Sequence, residues 1–185
     1  RLAGLYNFSL LNDFEEYNRK KILIISLTLL ASFTCAAGTV TKGMKKVIDD
    51  ALDFSVKQSM SMFYEMKDQK GILPRTAENG KMITCESAWW TSGFYPGTLW
   101  YCYEYSNDPQ IRAAAEEMTS RVEKQKYTTS NHDVGFIINC SFGNGYRLTH
   151  NETYRKVIET AAKSLSTRFH PVTGCTRSWN SKKWQ

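Results

Sequence analysis

Between Gly43 and Lys67 the residues Ile48, Leu52, Ser55, Ser59, Met62, Phe63 and Met66 recur at helical spacing, while Lys45, Lys46, Asp49, Asp50 and Lys57 fall elsewhere. Such a stripe winds by about 100° per residue and lies along one face of a helix, so it cannot serve a strand, whose side chains alternate. The serines within it suit close helix packing. The helix is predicted to end at Lys67-Asp68-Gln69-Lys70-Gly71, and Leu73 before Pro74 must be extended because proline disfavours helix at the preceding residue. No stretch shows sustained period-two alternation, and Thr76 to Ser87 reads as a loop.

The same reading continues along the chain. A second helix is predicted from about Gly97 to Tyr105, ending at Ser106-Asn107-Asp108-Pro109, where Asp108 caps and Pro109 starts the next helix. Ile111, Ala115, Met118 and Val122 form the buried stripe of that third helix. Gly143-Asn144-Gly145-Tyr146-Arg147-Leu148 reads as a turn, and Thr149-His150-Asn151-Glu152 as a capping box opening a helix with Tyr154, Ile158, Ala161 and Leu165 inward. Pro171 and Gly174 forbid its continuation beyond about Phe169. The expectation is an all-α chain of antiparallel helix pairs, with the unusual residues in the connecting loops.

At 185 residues and 42% hydrophobic, the chain has material for one core. Its five cysteines form no CxxC pair and its three histidines lie far apart, which argues against a zinc module. The net charge of +6 is spread along the chain without a basic, aromatic-interleaved run, so a nucleic-acid surface is not indicated. A diffuse positive field steers acidic ligands instead.

Arg19, Lys20 and Lys21 precede the apolar run from Ile22 to Phe33, followed by the small residues Thr34-Cys35-Ala36-Ala37-Gly38. This order is that of a secretory signal peptide over residues 19–37, preceded by an upstream segment 1–18 of unclear status. The run falls short of the roughly 20 residues that span a bilayer, so no permanent membrane helix is expected. The protein is expected to be exported, periplasmic or extracellular, with lipid modification of Cys35 as the alternative to simple cleavage. Export permits disulfides among Cys85, Cys102, Cys140 and Cys175, and their scattered spacing fits buried free thiols equally well.

Two segments carry candidate chemistry. Trp89-Trp90-Thr91-Ser92-Gly93-Phe94-Tyr95-Pro96-Gly97-Thr98-Leu99-Trp100 sets five aromatics around two glycines and a proline. Flat aromatic faces beside a backbone bend hold sugar rings, although aromatics of this kind also fill cores. In Asn131-His132-Asp133-Val134-Gly135-Phe136, Asp133 precedes an apolar run and reads either as a helix N-cap or as a partly buried acid/base. Arg177-Ser178-Trp179-Asn180 offers a further aromatic face and a guanidinium suited to a carboxylate.

Taken in order, Trp90-Thr91-Ser92-Gly93-Phe94-Tyr95-Pro96-Gly97, Leu99-Trp100, Tyr103-Glu104, His132-Asp133-Val134-Gly135-Phe136, Tyr146-Arg147-Leu148-Thr149 and Ser178-Trp179 resemble the unsaturated glucuronyl hydrolases, glycoside hydrolase family 88. The likeness covers Lys42 to Gln185. It implies an (α/α)6 barrel, present here as its N-terminal part over residues 38–185, that binds substrate in loops at one mouth and needs no metal or organic cofactor. The implied partner is an acidic oligosaccharide with a 4,5-unsaturated uronic acid at its non-reducing end. Protonation of that enol ether at C4 develops charge at C5, water adds there, and the hemiketal opens to release the neighbouring sugar. The resemblance makes Asp133 one of two essential carboxylates, places His132 in the substrate contact zone, and sets Trp90 and Trp179 along the sugar site. The second carboxylate is expected downstream of Ser178-Trp179, past Gln185, so the chain is read as part of the enzyme and inactive alone. The competing readings are a noncatalytic helical sugar-binding or scaffold protein, and a membrane-anchored helical module.

Overall fold

The computed structural model describes residues 40–180, so the leader, Cys35 and Trp184 lie outside it. The chain divides into compact units at residues 1–45 and 46–185. Of the first, only the opening turn of a helix is described, where Thr41 Oγ1 accepts from the Met44 amide at 3.2 Å. No described helix is long and apolar enough to cross a membrane.

Helix α1, Lys42–Met66, follows the apolar stripe, which buries only toward its C-terminal end: Ser59 and Met66 are inside. The serines allow the expected close neighbour, with the Tyr95 hydroxyl donating to the Ser59 carbonyl at 2.7 Å and the Cys102 thiol near Ser59 Oγ at 3.8 Å. At its C-terminus the Arg121 guanidinium donates to the carbonyls of Met66, Lys67, Gln69 and Ile72, satisfying acceptors that a helix end leaves open.

The loop expected over Thr76–Ser87 is instead the end of the first arm, the turn and the second arm of a hairpin, β1 Ile72–Glu78 against β2 Lys81–Glu86. Asn79 and Gly80 join the arms with φ of 51° and 72°, both in the left-handed region that a two-residue hairpin turn requires. Pro74 supplies no ladder donor, and the register shifts between it and Thr76. That break, with Leu73 the one fully buried residue of β1, hides the alternation.

Helix α2, Phe94–Ser106, and α3, Pro109–Ser120, form the first helical hairpin. Asn107 turns the chain with φ 54°, and Asp108 accepts from the Gln110 amide at 2.8 Å as the expected cap. Met66, Tyr95, Leu99, Trp100, Ala114, Ala115 and Met118 form one core cluster, with the Trp100 indole donating to Thr119 Oγ1 at 2.9 Å.

The second hairpin opposes α6, Glu152–Ser166, to a continuous run of α4, Val134–Ile138, a π-helical turn, Asn139–Gly143, and α5, Asn144–Thr149. The turn expected at Gly143–Leu148 is therefore helical, and the break comes at His150 with φ 52°. The expected capping box is displaced too. Thr149 Oγ1 donates back to the Gly145 carbonyl, and Asn151 caps α6 by accepting from the Thr153 amide at 2.9 Å. Leu73, Val122, Val134, Ile137, Ile138, Phe142, Val157 and Ala161 make its core, against which Tyr154, Ile158 and Leu165 pack from α6.

The two hairpins meet backbone to backbone. A Cβ on Gly93 would lie 2.2 Å from the Ile137 carbonyl oxygen, and one on Gly97 would lie 2.7 Å from that of Cys140. The glycines of the Ser-Gly-Phe-Tyr-Pro-Gly motif, one helical turn apart, thus permit a crossing that no side chain could fill. Short strands β3, Phe169–His170, and β4, Cys175–Thr176, then carry the chain back toward the start of α4.

Candidate active site

The three tryptophans of the aromatic cluster have different fates. Trp100 is core, and Trp89 lies under the Arg75 guanidinium at 4.1 Å. Trp90 stays 44% exposed at the N-terminal end of α2. There it meets Phe94 edge to face at 5.6 Å and Phe136 at 6.4 Å, and the two phenylalanine rings lie 6.2 Å apart.

The Gly93–Ile137 contact sets the start of α4 beside the start of α2, and α4 brings Phe136 and the preceding His132 and Asp133 with it. His132 continues the aromatic surface, its ring 6.3 Å from Phe136 and 4.6 Å from Trp179 at 65°. The His132 amide donates to the Ser178 carbonyl at 2.9 Å, tying the last wall to the first. The resulting strip runs Trp90, Phe94, Phe136, His132, Trp179. Its members Phe94, Phe136 and Trp179 are 39%, 46% and 60% exposed, so these rings face outward and are available to a ligand.

Asp133 stands at the N-cap position of α4, yet its carboxylate accepts no hydrogen bond from the first turn. Its own amide is held by Asn131 Oδ1 at 2.9 Å, and its carbonyl accepts from Ile137. The carboxylate is mostly buried and lies 3.4 Å from His132 Nε2. The capping reading therefore fails as an interaction, leaving a carboxylate beside an imidazole at the edge of an aromatic strip. His132 Nδ1 is buried and has no hydrogen-bond partner among the described residues. Arg177 Nε donates to the Trp179 carbonyl at 3.1 Å and so braces this wall from the exposed side.

All four residues singled out in sequence, Trp90, His132, Asp133 and Trp179, are thus brought together. Phe94 and Phe136 were not singled out, because a phenylalanine next to a helix start reads as core. Glu104 and Arg147, part of the recognised pattern, lie apart from the strip as a two-pronged ion pair at 2.6 and 2.7 Å clamping α2 to α5. Arg147 holds the Glu104 carboxyl below its ordinary range. Cys85, Cys102, Cys140 and Cys175 are free thiols, and burial raises the pKa of the first three. Among the described residues no group of three or more His, Cys, Asp or Glu is placed to hold a metal ion.

No family profile matches the chain. It is 41% identical over 95 residues to an unsaturated glucuronyl hydrolase of Formosa agariphila, covering 51% of this chain and 24% of that protein. It is 31% identical over 137 residues to an unsaturated chondroitin disaccharide hydrolase of Streptococcus pyogenes serotype M1, covering 71% of this chain and 33% of that protein. Among solved structures, an unsaturated glucuronyl hydrolase specific for heparin superposes with a TM-score of 0.65 at 36% identity, over 74% of this chain and 38% of the other. The chain therefore spans about a quarter to a third of the curated relatives it matches. The helical hairpins are part of an (α/α)6 barrel, the fold of these hydrolases.

Proposed function

We propose that this chain, similar to the N-terminal part of the unsaturated glucuronyl hydrolases, carries the sugar-gripping half of such an enzyme's active site. The observation that supports this reading is the convergence of Asp133 and His132 with the outward rings of Trp90, Phe94, Phe136 and Trp179. An unsaturated uronic acid has a flattened ring with an apolar face, suited to the aromatic strip, and hydroxyls and a carboxylate that need polar partners at one edge.

In this reading Asp133 serves as one of two carboxylates that move protons in hydration of the C4=C5 enol ether. Proton delivery to C4 leaves an oxocarbenium-like C5, water adds there with loss of a proton to a carboxylate, and the hemiketal opens to expel the neighbouring sugar. The anomeric carbon is never attacked, so the carboxylate spacing of ordinary glycosidases does not apply. His132 contributes a ring wall and a hydrogen-bonding edge. In this reading the second carboxylate lies past Gln185 and the isolated chain is inactive. The protein acts downstream of polysaccharide lyases, after export and removal of residues up to about Ala37.

The test follows loss of ultraviolet absorbance of the conjugated enol ether when the full-length protein carrying this chain meets unsaturated disaccharides. Turnover without added metal supports the proposal. Binding without turnover would favour a noncatalytic sugar-binding protein.

A further inference from the structure

Arg168 follows α6 and is 8% exposed, yet no carboxylate is among the partners described for its guanidinium. Nη1 donates to the Thr129 carbonyl at 2.5 Å and Nε to that of Arg177 at 2.7 Å. Nη2 donates to the Ser178 carbonyl at 3.0 Å, and both terminal nitrogens reach Asn180 Oδ1 at 3.3 and 3.4 Å. Among the described residues its acceptors belong to two segments: the one leading into His132-Asp133, and the one bearing Trp179. A planar fork of five donors suits such a junction, whereas an ammonium, with three donors on a compact point charge, spans it poorly.

We propose that Arg168 is the positioning residue of this site, setting the His132–Trp179 contact by fastening the Thr129 carbonyl to the Arg177–Asn180 segment. Asp133 is held separately, by Asn131 and by the first turn of α4. Loss of the fork therefore moves the sugar wall more than the carboxylate, and its signature falls on binding. Only the kinetic part of the argument rests on the functional reading above.

The chain has three histidines, so the His132 ring protons are assignable by comparison with His132→Asn. Trp179 at 4.6 Å imposes a ring-current shift on them, defined as the difference from Trp179→Leu. In the full-length protein Arg168→Lys is expected to erase at least about half of that shift while keeping a cooperative melt. It is expected to raise KM for an unsaturated disaccharide about tenfold, within what a misplacement of about 1 Å produces. A change in kcat of under about threefold separates this from a mere fall in folded fraction, which lowers kcat at constant KM. An unchanged ring-current shift overturns the proposal whatever the kinetics. If the wild type turns over no unsaturated disaccharide, the functional reading falls and the shift alone decides on Arg168. If Arg168→Lys does not fold, Asn180→Ala, which removes the one side-chain acceptor, takes its place with a smaller loss expected. Collapse of both variants would make Arg168 a support of the fold and overturn the proposal.

Discussion

Gly93 rests on Ile137 so closely that a methyl group at its α-carbon would stand 2.2 Å from the Ile137 carbonyl oxygen. Gly93→Ala must therefore push α2 away from α4. Overpacking of this kind costs about 1–3 kcal/mol, and the displaced elements carry Trp90 on one side and Asp133 on the other. The expected outcome is a lowered melting temperature together with loss of activity. Gly135→Ala, whose added methyl meets nothing within 4 Å, should leave the melt nearly unchanged.

Asp133→Asn separates chemistry from capping. The carboxylate makes no bond to the first turn of α4, so the usual cap penalty of about 1 kcal/mol should be absent and the melt should hold. Turnover by the full-length protein should fall by about 10²–10⁴-fold, the contribution of a positioned acid or base. Steady-state rates beside a thermal melt of the same variant measure both.

Trp90 and Trp179 are both largely exposed, and their removal should affect binding more than folding. Trp90→Ala and Trp179→Ala are each expected to raise KM about tenfold, corresponding to a stacking contribution of about 1.4 kcal/mol. Titration with substrate followed by tryptophan emission checks it.

Much of this architecture was readable from residues alone. Ile111, Ala115 and Met118 are buried along α3 as their spacing demands, and Val122, expected on the same helix, is buried just past its end at Ser120. The β1–β2 hairpin was missed although Asn79-Gly80 is a strong hairpin signal, since Pro74 and the register shift break the alternation that a strand search looks for. Gly143-Asn144-Gly145 reads as a turn in isolation. In the fold Gly145 lies where a side chain would strike Tyr154 and Trp100, so its glycine serves packing inside a helix. For the site, the residue types were legible and their meeting was not. Trp90, Asp133 and Trp179 are far apart in sequence, and only the crossing of two hairpins makes them neighbours. Arg168 carried no sequence signal, as an arginine after a helix ordinarily faces solvent.

Burial raises the pKa of the Tyr95 phenol well above its ordinary value near 10, and its hydroxyl is spent on the Ser59 carbonyl. The folded protein keeps this proton where the unfolded chain releases it. Stability is therefore intact below about pH 10 and declines as pH rises further, by up to about 1.4 kcal/mol per pH unit for one proton. Tyr95→Phe should flatten part of that alkaline decline while costing about 1 kcal/mol at neutral pH through the lost hydrogen bond. Denaturant melts across the alkaline range provide the comparison.

Export predicts that residues up to about Ala37 are missing from the mature protein, since a basic, apolar, small-residue order is a processing signal. Intact-mass measurement of secreted protein decides it. Lys20 and Ile22 still attached would sink the prediction.

The glycine crossing between α2 and α4 also bears on how the aromatic strip is held. With backbone pressed on backbone at Gly93 and Ile137, no side chain separates the start of α2 from α4, and the two are held firmly together. Trp179 is different: beyond a two-residue strand, its segment is held by the guanidinium groups of Arg168 and Arg177 and by one amide hydrogen bond. The strip thus has one wall fixed by packed backbone and one held by polar side chains, and in the proposed function the clearance a sugar needs falls on the Trp179 side.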